Sequence, residues 1–371
     1  MKFSCEKYIL QSAVMTASRA AAAKSPLPAL EGLLIKAGAG VSVTGYDLKK
    51  GIYTTIEADV ARPGSAVFSA KLFVEMIRRM PDGIVTVEVG EDGGATVRCG
   101  RAEYAFIAMD TEDYPELPAV DYTEAVSIPQ KLLREMIDET IFAVSTNESR
   151  PIYMGSLFDI ENGELTLVSV DGYRLALRRE RIEGCGPDGM RFIIPGAALT
   201  EVQRICGDND EPVQINVGAK HVSFTIGDTV VISRRLEGEF LSYKKAIPEN
   251  FRTKVKVDRA EFLSIVDRVS LIVDEKLKSP IRLIFGDGSI NFLCVTPIGR
   301  AEDVCPCEGE GGDTEIGFND RYLRDALRAA PETELTVCIN TGSSPCVLLP
   351  TGEEEKFIYM ILPVRLRAGN E

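Results

Sequence analysis

The sequence predicts an α+β fold in which one small repeat occurs six times along 371 residues. In each repeat, a short strand with alternating apolar residues leads into an amphipathic helix, and further alternating strands follow. Tight turns separate those later strands, which favours antiparallel pairing because parallel strands need long crossovers. A single helix over a few strands buries too little core to be stable alone. We therefore expect pairs of repeats to form three similar domains.

The first strands of the repeats are evenly spaced. They begin near Lys2, Val67, Val126, Arg191, Lys254 and Glu315. Successive starts lie 59 to 65 residues apart, which is not typical of chance recurrence. Pairing gives domains of about 124 residues, a usual domain size. We predict domains at 1–119, 123–247 and 249–371, separated by the polar, proline-bearing segments around 114–122 and 244–252.

The helices follow these first strands. In the second repeat, the predicted helix covers Lys71–Met80 and its apolar stripe consists of Leu72, Phe73, Met76, Ile77 and Met80. The segments Lys131–Ile137 and Arg321–Arg328 belong to the third and sixth repeats and show similar amphipathic patterns. Such a stripe is wide enough to seat a helix on a sheet.

After each helix the apolar period changes from 3.6 to 2, which indicates strands. The clearest examples are Ile84–Val89, Val213–Val217 and Glu334–Ile339. Glycine-containing turns at 91–94, 227–228 and 286–288 then predict hairpins.

The composition weakens several kinds of chemistry. A Ser-His-Asp triad or a multi-histidine metal site would depend on His221, the one histidine of the chain. The nine cysteines are scattered and odd in number, and Cys305-Pro306-Cys307 lacks the spacing of a zinc knuckle. We expect reduced thiols, no metal and no cofactor. The acidic cluster of Asp110, Glu112 and Asp113 leaves a carboxylate hydrolase as a minor alternative.

Charge and hydropathy suggest where the protein acts. A net charge of −14 argues against binding nucleic acid by bulk electrostatics, although a few basic residues could still gather on one surface. No apolar run approaches the ~18 residues of a membrane span, and the start lacks the pattern of a signal peptide. We expect a soluble, cytoplasmic protein with no membrane partner.

Repeated domains of this size can form a ring. A domain of about 120 residues is roughly 30–35 Å across, so three would close without a hole. Six such domains from two chains would leave an opening of roughly 30 Å, enough for a nucleic-acid duplex. A scaffold of repeated domains that never meets DNA is the alternative interpretation.

Four segments carry a specific likeness to a known family. They are Met1–Phe3, Thr44–Leu48, Val170–Ala176 and Met360–Leu366. In this order and at this spacing, the chain resembles the bacterial DNA polymerase III beta subunits, the sliding clamps, over its full length. The resemblance implies the DNA clamp fold: a head-to-tail homodimer forming a six-domain ring, with helices inside and sheets outside. It also implies a non-catalytic processivity factor that holds the polymerase on double-stranded DNA and is opened by a clamp-loader complex. The absence of a G-x-x-x-x-G-K-[ST] phosphate loop is consistent with this role.

The resemblance implies a groove between the second and third domains that binds short apolar motifs of the polymerase III catalytic subunit and other partners. By position, this peptide groove comprises Tyr153, Val170, Gly172, Tyr173, Arg174, Leu175, Leu241, Lys245, Ala246, Met360, Leu362, Pro363, Val364 and Arg365. The leucines and Val364 offer apolar area, while Arg174 and Arg365 could bind carbonyl or carboxylate oxygens. Val170, Tyr173 and Leu241 stand where the family often has Thr, His and Pro, which affects the preferred peptide.

The resemblance and the helix pattern also supply candidates for DNA and for the dimer seam. The expected DNA-binding residues are Lys24, Lys71, Arg78, Asn147, Arg150 and Arg321. The expected seam joins Arg98, Arg101, Tyr104 and Phe106 of the first domain to Leu271, Ile272, Glu302 and Asp303 of the third. Basic residues facing acidic ones would favour head-to-tail pairing. The terminal segment 367–371 extends past the usual family end and could crowd the groove or trail in solvent.

Overall fold

The structure, a computed structural model, describes residues 1–182, 188–273, 279–309, 312–352 and 355–366. The terminal segment 367–371 and Cys185 therefore lie outside the described residues. The described helices are α1 (Lys7–Ser18), α2 (Ala70–Arg79), α3 (Gln130–Asp138), α4 (Gly196–Ile205), α5 (Tyr243–Ala246), α6 (Arg259–Val269) and α7 (Asp320–Ala329).

The strands are numbered along the chain. The first twelve are β1 (Lys2–Glu6), β2 (Gly32–Ala37), β3 (Val41–Tyr46), β4 (Lys50–Ile56), β5 (Asp59–Arg62), β6 (Gly64–Ser69), β7 (Ile84–Val89), β8 (Gly94–Cys99), β9 (Ala102–Ile107), β10 (Tyr122–Pro129), β11 (Gly155–Glu161) and β12 (Glu164–Val170). The others are β13 (Arg174–Arg181), β14 (Met190–Pro195), β15 (Pro212–Gly218), β16 (His221–Ile226), β17 (Thr229–Arg234), β18 (Thr253–Asp258), β19 (Ile281–Gly286), β20 (Ser289–Thr296), β21 (Gly299–Pro306), β22 (Glu315–Phe318), β23 (Glu334–Ile339), β24 (Cys346–Pro350) and β25 (Phe357–Ile361).

The sixfold strand-helix recurrence predicted from the sequence is confirmed. The strands β1, β6, β10, β14, β18 and β22 each lead directly, or after one residue, into a helix of at least nine residues. The predicted strands at 84–89 and 334–339 are observed with those bounds, and the predicted turns join antiparallel hairpins. One detail is wrong: Leu72 is 46% exposed, because the buried face of α2 centres on Phe73, Met76 and Ile77.

The chain forms two compact units, of which the first contains residues 1–134 and 197–235. Its sheets have the strand orders β5-β1-β7-β8-β9 and β10-β15-β16-β17-β4-β3-β2-β6. Helices α1 and α2 contact each other, and a core containing Phe3, Val14, Phe68 and Phe73 joins them to the strands. Gly45 permits a close approach of α1 to β3, since a Cβ there would lie 2.0 Å from the carbonyl oxygen of Ala17.

The second unit contains the described residues of 135–196 and 236–371. Its sheets have the orders β14-β11-β12-β13-β25-β24-β23-β18 and β21-β20-β19-β22. Helices α6 and α7 contact each other over a core that includes Phe262, Phe292 and Leu323.

Each eight-stranded sheet runs across a predicted domain boundary. In the first unit β17 pairs antiparallel with β4, and in the second β13 pairs antiparallel with β25. The predicted domains therefore do not correspond to the two compact units, because backbone hydrogen bonds continue from one repeat pair into the next.

Candidate functional site

One face of the eight-stranded sheet in the second unit carries a hydrophobic cluster that gathers part of the predicted peptide groove. The predicted residues in or against this cluster are Tyr153, Val170, Leu175, Leu241, Ala246 and Met360. Alternation along the strands explains the grouping, because side chains two residues apart share a face. Leu175 of β13 lies directly opposite Met360 of β25, so both point into the cluster.

The cluster is partly covered by the segment that contains α5. The Tyr243 hydroxyl donates a 2.8 Å hydrogen bond to Asp159 Oδ2 in a buried position. Burial, followed by this bond to a carboxylate, raises the Tyr243 pKa above its usual value. This anchor fixes α5 beside the sheet and leaves Leu241 and Ala246 half-buried and Lys245 exposed.

The segment 362–366, which follows β25, runs beside the turn that joins β12 to β13. The Leu362 amide donates to the Tyr173 carbonyl at 2.8 Å, and the Val364 amide donates to the Gly317 carbonyl at 2.8 Å. Leu362, Pro363 and Val364 are half-buried and Arg365 is exposed.

The turn itself requires a glycine, because Gly172 has a φ of +94°. Asp171 Oδ1 accepts hydrogen bonds from the amides of Tyr173 and Arg174, which shapes the turn. Tyr173 is exposed, so the turn presents an aromatic ring beside the segment 362–366.

The Arg174 side chain is engaged by carboxylates of its own unit. The side chain is only 7% exposed. Nε donates to Asp171 Oδ2 at 3.0 Å, and Nη1 donates to Asp325 Oδ2 at 2.7 Å. The neighbouring Leu175 faces the cluster, so alternation places Arg174 on the opposite face of the sheet. Its contact with a peptide carbonyl or carboxylate stays a prediction.

The predicted DNA-binding residues of the first unit are accessible. Lys24 lies in the loop after α1, and Lys71 and Arg78 lie on α2, all three exposed. Arg78 Nη2 is 2.7 Å from Glu75 Oε2, so a nearby carboxylate partly compensates its charge.

Sequence reasoning missed a polar cavity of about 460 Å³ in this unit. Its lining includes Arg19 after α1 and Arg204 of α4, together with Ser12 and Thr16. No sequence signal paired Arg19 with Arg204, because the two helices come from different repeats.

The candidates of the second unit occupy a turn and a helix. Asn147 and Arg150 are exposed, and the Arg150 amide donates to the Asn147 carbonyl at 3.2 Å. A Cβ at Gly172 would lie 3.6 Å from Arg150 Nη1, which puts Arg150 beside the β12–β13 turn. Arg321 on α7 has a 75% exposed side chain, and its Nε is 3.8 Å from Asp325 Oδ2.

The expected seam residues of the first unit lie on or beside β9, an edge strand of the five-stranded sheet. Arg101 is exposed, whereas Tyr104 and Phe106 are half-buried and turn toward the core. Phe106 makes an edge-to-face contact with Phe68, with ring centroids 5.2 Å apart. Arg98 Nε is 2.6 Å from Glu103 Oε2.

The seam residues of the second unit lie on β21, the edge of the four-stranded sheet, and in the turn after α6. Asp303 pairs with Arg268 at 2.7 Å and Glu302 pairs with Arg300. The acids on this edge and Arg98 on the other already have partners in their own units. The expected attraction between a basic and an acidic edge is therefore reduced.

At both edges, exposed apolar side chains indicate a contact surface more strongly than the charged residues do. Ile107 of β9 is 77% exposed and Leu271 is 82% exposed. Sequence reasoning named Leu271 but missed Ile107, Ile298 and Val304, which are also exposed. Ile107 could have been found from the sequence, because it stands on the solvent side of a strand whose apolar residues alternate.

A second cavity, of about 570 Å³, lies on the same unit as the groove cluster. It is lined by Tyr243, Ile247, Leu177 and Ile358 among others, and by none of the predicted groove residues. It therefore adjoins the cluster beside α5 without being the predicted groove.

Other candidate chemistry finds no support in the described part of the chain. There, no three His, Cys, Asp or Glu residues form a group that could hold a metal ion. Asp110 and Glu112 form a local turn, in which Asp110 Oδ1 accepts from the Glu112 amide at 3.0 Å. Burial raises the pKa of the Cys305 thiol to about 12. None of the described helices is long and apolar enough to cross a membrane.

Comparisons with known proteins agree along the whole chain. Models of the DNA polymerase III beta subunit match residues 1–118 (N-terminal domain), 127–241 (central domain) and 244–365 (C-terminal domain). The beta sliding clamp of Bacillus subtilis is 33% identical over 98% of this chain and 100% of its own length.

Solved structures give the same result. The crystal structure of the Bacillus subtilis DNA polymerase sliding clamp has a TM-score of 0.93 and 32% identity, covering 99% of this chain and 100% of that one. The crystal structure of a putative DNA polymerase III beta subunit from Eubacterium rectale has a TM-score of 0.93 and 31% identity, covering 98% and 99% of the two chains.

Proposed function

The chain belongs to the family of DNA polymerase III beta subunits, the beta sliding clamps, and we propose that two copies close into a ring around duplex DNA. The full-length match in sequence and structure carries this conclusion. We infer three clamp domains at 1–119, 123–247 and 249–371, as the repeat spacing predicts. The ring tethers the replicative polymerase to its template and performs no catalysis itself. The protein acts in the cytoplasm.

The proposed dimer joins β9 of one copy to β21 of the other. Both are edge strands with unpaired backbone groups on one side, which is the geometry that strand pairing between chains uses. Ile107 and Leu271 would lose exposed apolar area on association. Joining different surfaces of two identical chains is a head-to-tail contact, and two such contacts close a ring.

DNA binding in this proposal relies on few cations. Lys24, Lys71 and Arg78 of the first unit and Asn147, Arg150 and Arg321 of the second supply the contacts. Each phosphate contact adds affinity that depends on salt, so a small number suits a protein that must slide. The net charge of −14 keeps other surfaces from binding DNA.

Partner proteins dock short apolar peptides on the cluster around Leu175 and Met360. The half-buried side chains Tyr153, Leu241 and Leu362 supply the accessible apolar surface. The polymerase catalytic subunit, the clamp loader and other motif-bearing proteins are the proposed occupants. A scaffold that does not encircle DNA is not favoured, since the relatives that match over their full length are named as sliding clamps.

Topological retention tests the ring. The protein is loaded on nicked circular DNA with a clamp loader, separated by gel filtration at high salt, and compared with the same sample after the DNA is cut by a restriction enzyme. We expect the protein to stay on circular DNA and to be lost after linearisation. Equal retention on both forms, or none on either, would contradict encirclement.

A further inference from the structure

Arg174 connects the β12–β13 turn to helix α7. Besides its two carboxylate contacts, its guanidinium carbon lies 4.7 Å from the ring centroid of Tyr322 on α7. The adjacent Tyr173 stacks on the same ring, with centroids 6.1 Å apart and planes 21° apart. Two consecutive residues of the turn are thus fixed to one helix by an ion pair and by ring contacts.

The β12–β13 turn also holds the segment 362–366. The Tyr173 carbonyl accepts the Leu362 amide, and Leu362 is one of the accessible apolar residues of the proposed groove. A turn that is firmly attached to α7 therefore keeps the groove wall in one position. Fixing a binding surface in advance raises affinity, because less conformational entropy is lost on binding.

The carboxylate of Asp325 is shared. Its Oδ2 atom is 2.7 Å from Arg174 Nη1 and 3.8 Å from Arg321 Nε. Arg174 is buried, whereas Arg321 is exposed on the solvent side of α7. One carboxylate oxygen thus interacts with a groove-positioning residue and with a candidate DNA contact.

We propose that Asp325 couples the state of Arg321 to the peptide groove through Arg174, which acts as a positioning residue. This inference rests on the proposed function, in which Arg321 meets DNA and the groove binds partner peptides. A phosphate that pairs with Arg321 draws its guanidinium from Asp325, so Asp325 pairs more completely with Arg174. The turn is then held more firmly and the groove binds its peptide more tightly. By linkage, a bound peptide favours the DNA contact by the same factor.

The test does not require DNA, because a substitution at Arg321 also ends its interaction with Asp325. Arg321→Gln removes the competing cation, so it should tighten binding of a fluorescein-labelled motif peptide of the polymerase catalytic subunit about two- to fivefold, the range of an exposed ion pair. In the Asp325→Asn background the same substitution should change nothing, because the shared carboxylate is gone. Fluorescence anisotropy with the full-length protein measures each affinity.

Arg328→Gln is the matched control. It makes the same charge change on the same helix, but Arg328 pairs with Asp267 at 3.3 Å and not with Asp325. We expect no effect on peptide affinity. Thermal unfolding of each variant verifies that the protein remains folded, and a loss of folding alone would not produce the dependence of Arg321→Gln on Asp325.

Three outcomes overturn the inference. An equal shift from Arg321→Gln and Arg328→Gln would show a general charge effect, and a shift that persists with Asp325→Asn would exclude the shared carboxylate. No shift from Arg321→Gln in the wild-type background would exclude the coupling while leaving the groove intact. A failure of the wild-type protein to bind the peptide would overturn the groove of the proposed function as well.

Discussion

Glu139 is a buried carboxyl group beside an arginine that is already engaged elsewhere. Arg178 Nε lies 2.8 Å from Glu139 Oε2, and Arg178 Nη2 lies 2.5 Å from Glu180 Oε1. Burial is the largest influence and raises the Glu139 pKa to about 7, with Arg178 acting in the opposite direction. Arg178 offsets only part of the desolvation of Glu139, because it also pairs with Glu180.

This shift predicts a pH dependence of stability. The unfolded chain releases the Glu139 proton near its ordinary pKa of 4.5, whereas the folded protein keeps it until about pH 7. The folded state therefore loses stability as the pH rises between those values, by about 3 kcal/mol from this group. Glu139→Gln should remove that loss. Its free energy of unfolding in urea should therefore rise relative to that of the wild-type protein between pH 4.5 and 8.

The exposed Glu148 supplies the control, since Glu148→Gln should leave the pH dependence unchanged. If the unfolding free energies of Glu139→Gln and the wild-type protein differ by the same amount across this pH range, the raised pKa of Glu139 is contradicted.

At the scale of elements, the contact between α1 and β3 depends on the absence of a side chain. Gly45 faces the last turn of α1, and α1 also contacts β4 of the same sheet. The helix carries buried Leu10, Val14 and Ala17 toward the core, so its distance from the sheet determines how well that core packs.

Gly45→Ala should therefore destabilise the first unit. Its methyl group would lie 2.0 Å from the Ala17 carbonyl oxygen, which forces the helix away from the sheet. Overpacking of this kind costs about 1–3 kcal/mol, measured as a lower midpoint in denaturant unfolding. Gly38→Ala is the control, because a Cβ there meets nothing within 4 Å. Equal effects of the two substitutions would show that the close approach is unimportant.

At the scale of the whole molecule, we expect assembly to depend on apolar edges more than on charge. The ion pairs Arg98–Glu103 and Arg268–Asp303 lie within single units, so these charges are already compensated before two chains associate. Exposed ion pairs contribute little to stability, whereas burying a large apolar side chain contributes about 1.5–3 kcal/mol. Ile107 and Leu271 should therefore dominate the seam.

Ile107→Lys and Leu271→Lys should each weaken the dimer at least tenfold, because each places a charge in a contact that buries apolar area. Sedimentation velocity across a dilution series measures the monomer fraction. Ile84→Lys is the control: Ile84 is similarly exposed on the same sheet as Ile107, but its strand β7 is interior. A dimer that survives both substitutions would place the seam elsewhere.

Alternation and the family pattern predicted much of this molecule. The change of apolar period located the helix of each of the six repeats and the strands around it. A helix or strand with one buried face spaces its apolar residues by about 3.6 or 2 positions. The family resemblance implied that Leu175 and Met360 share the peptide groove, and the structure places them directly opposite each other on neighbouring strands. Apolar spacing wrongly predicted that Leu72 is buried. Spacing shows which side of a helix is apolar, but only the packed sheet determines how far the buried face extends.

By itself, the sequence determined the repeat, the antiparallel α+β architecture and the family of this protein, because these depend on local period and on ordered motifs. Only the tertiary structure decided that Arg174 pairs with Asp325, and that charged residues of each edge strand have partners in their own unit. Asp325 lies 151 residues after Arg174, and only folding brings a carboxylate that distant in the chain within reach of the guanidinium.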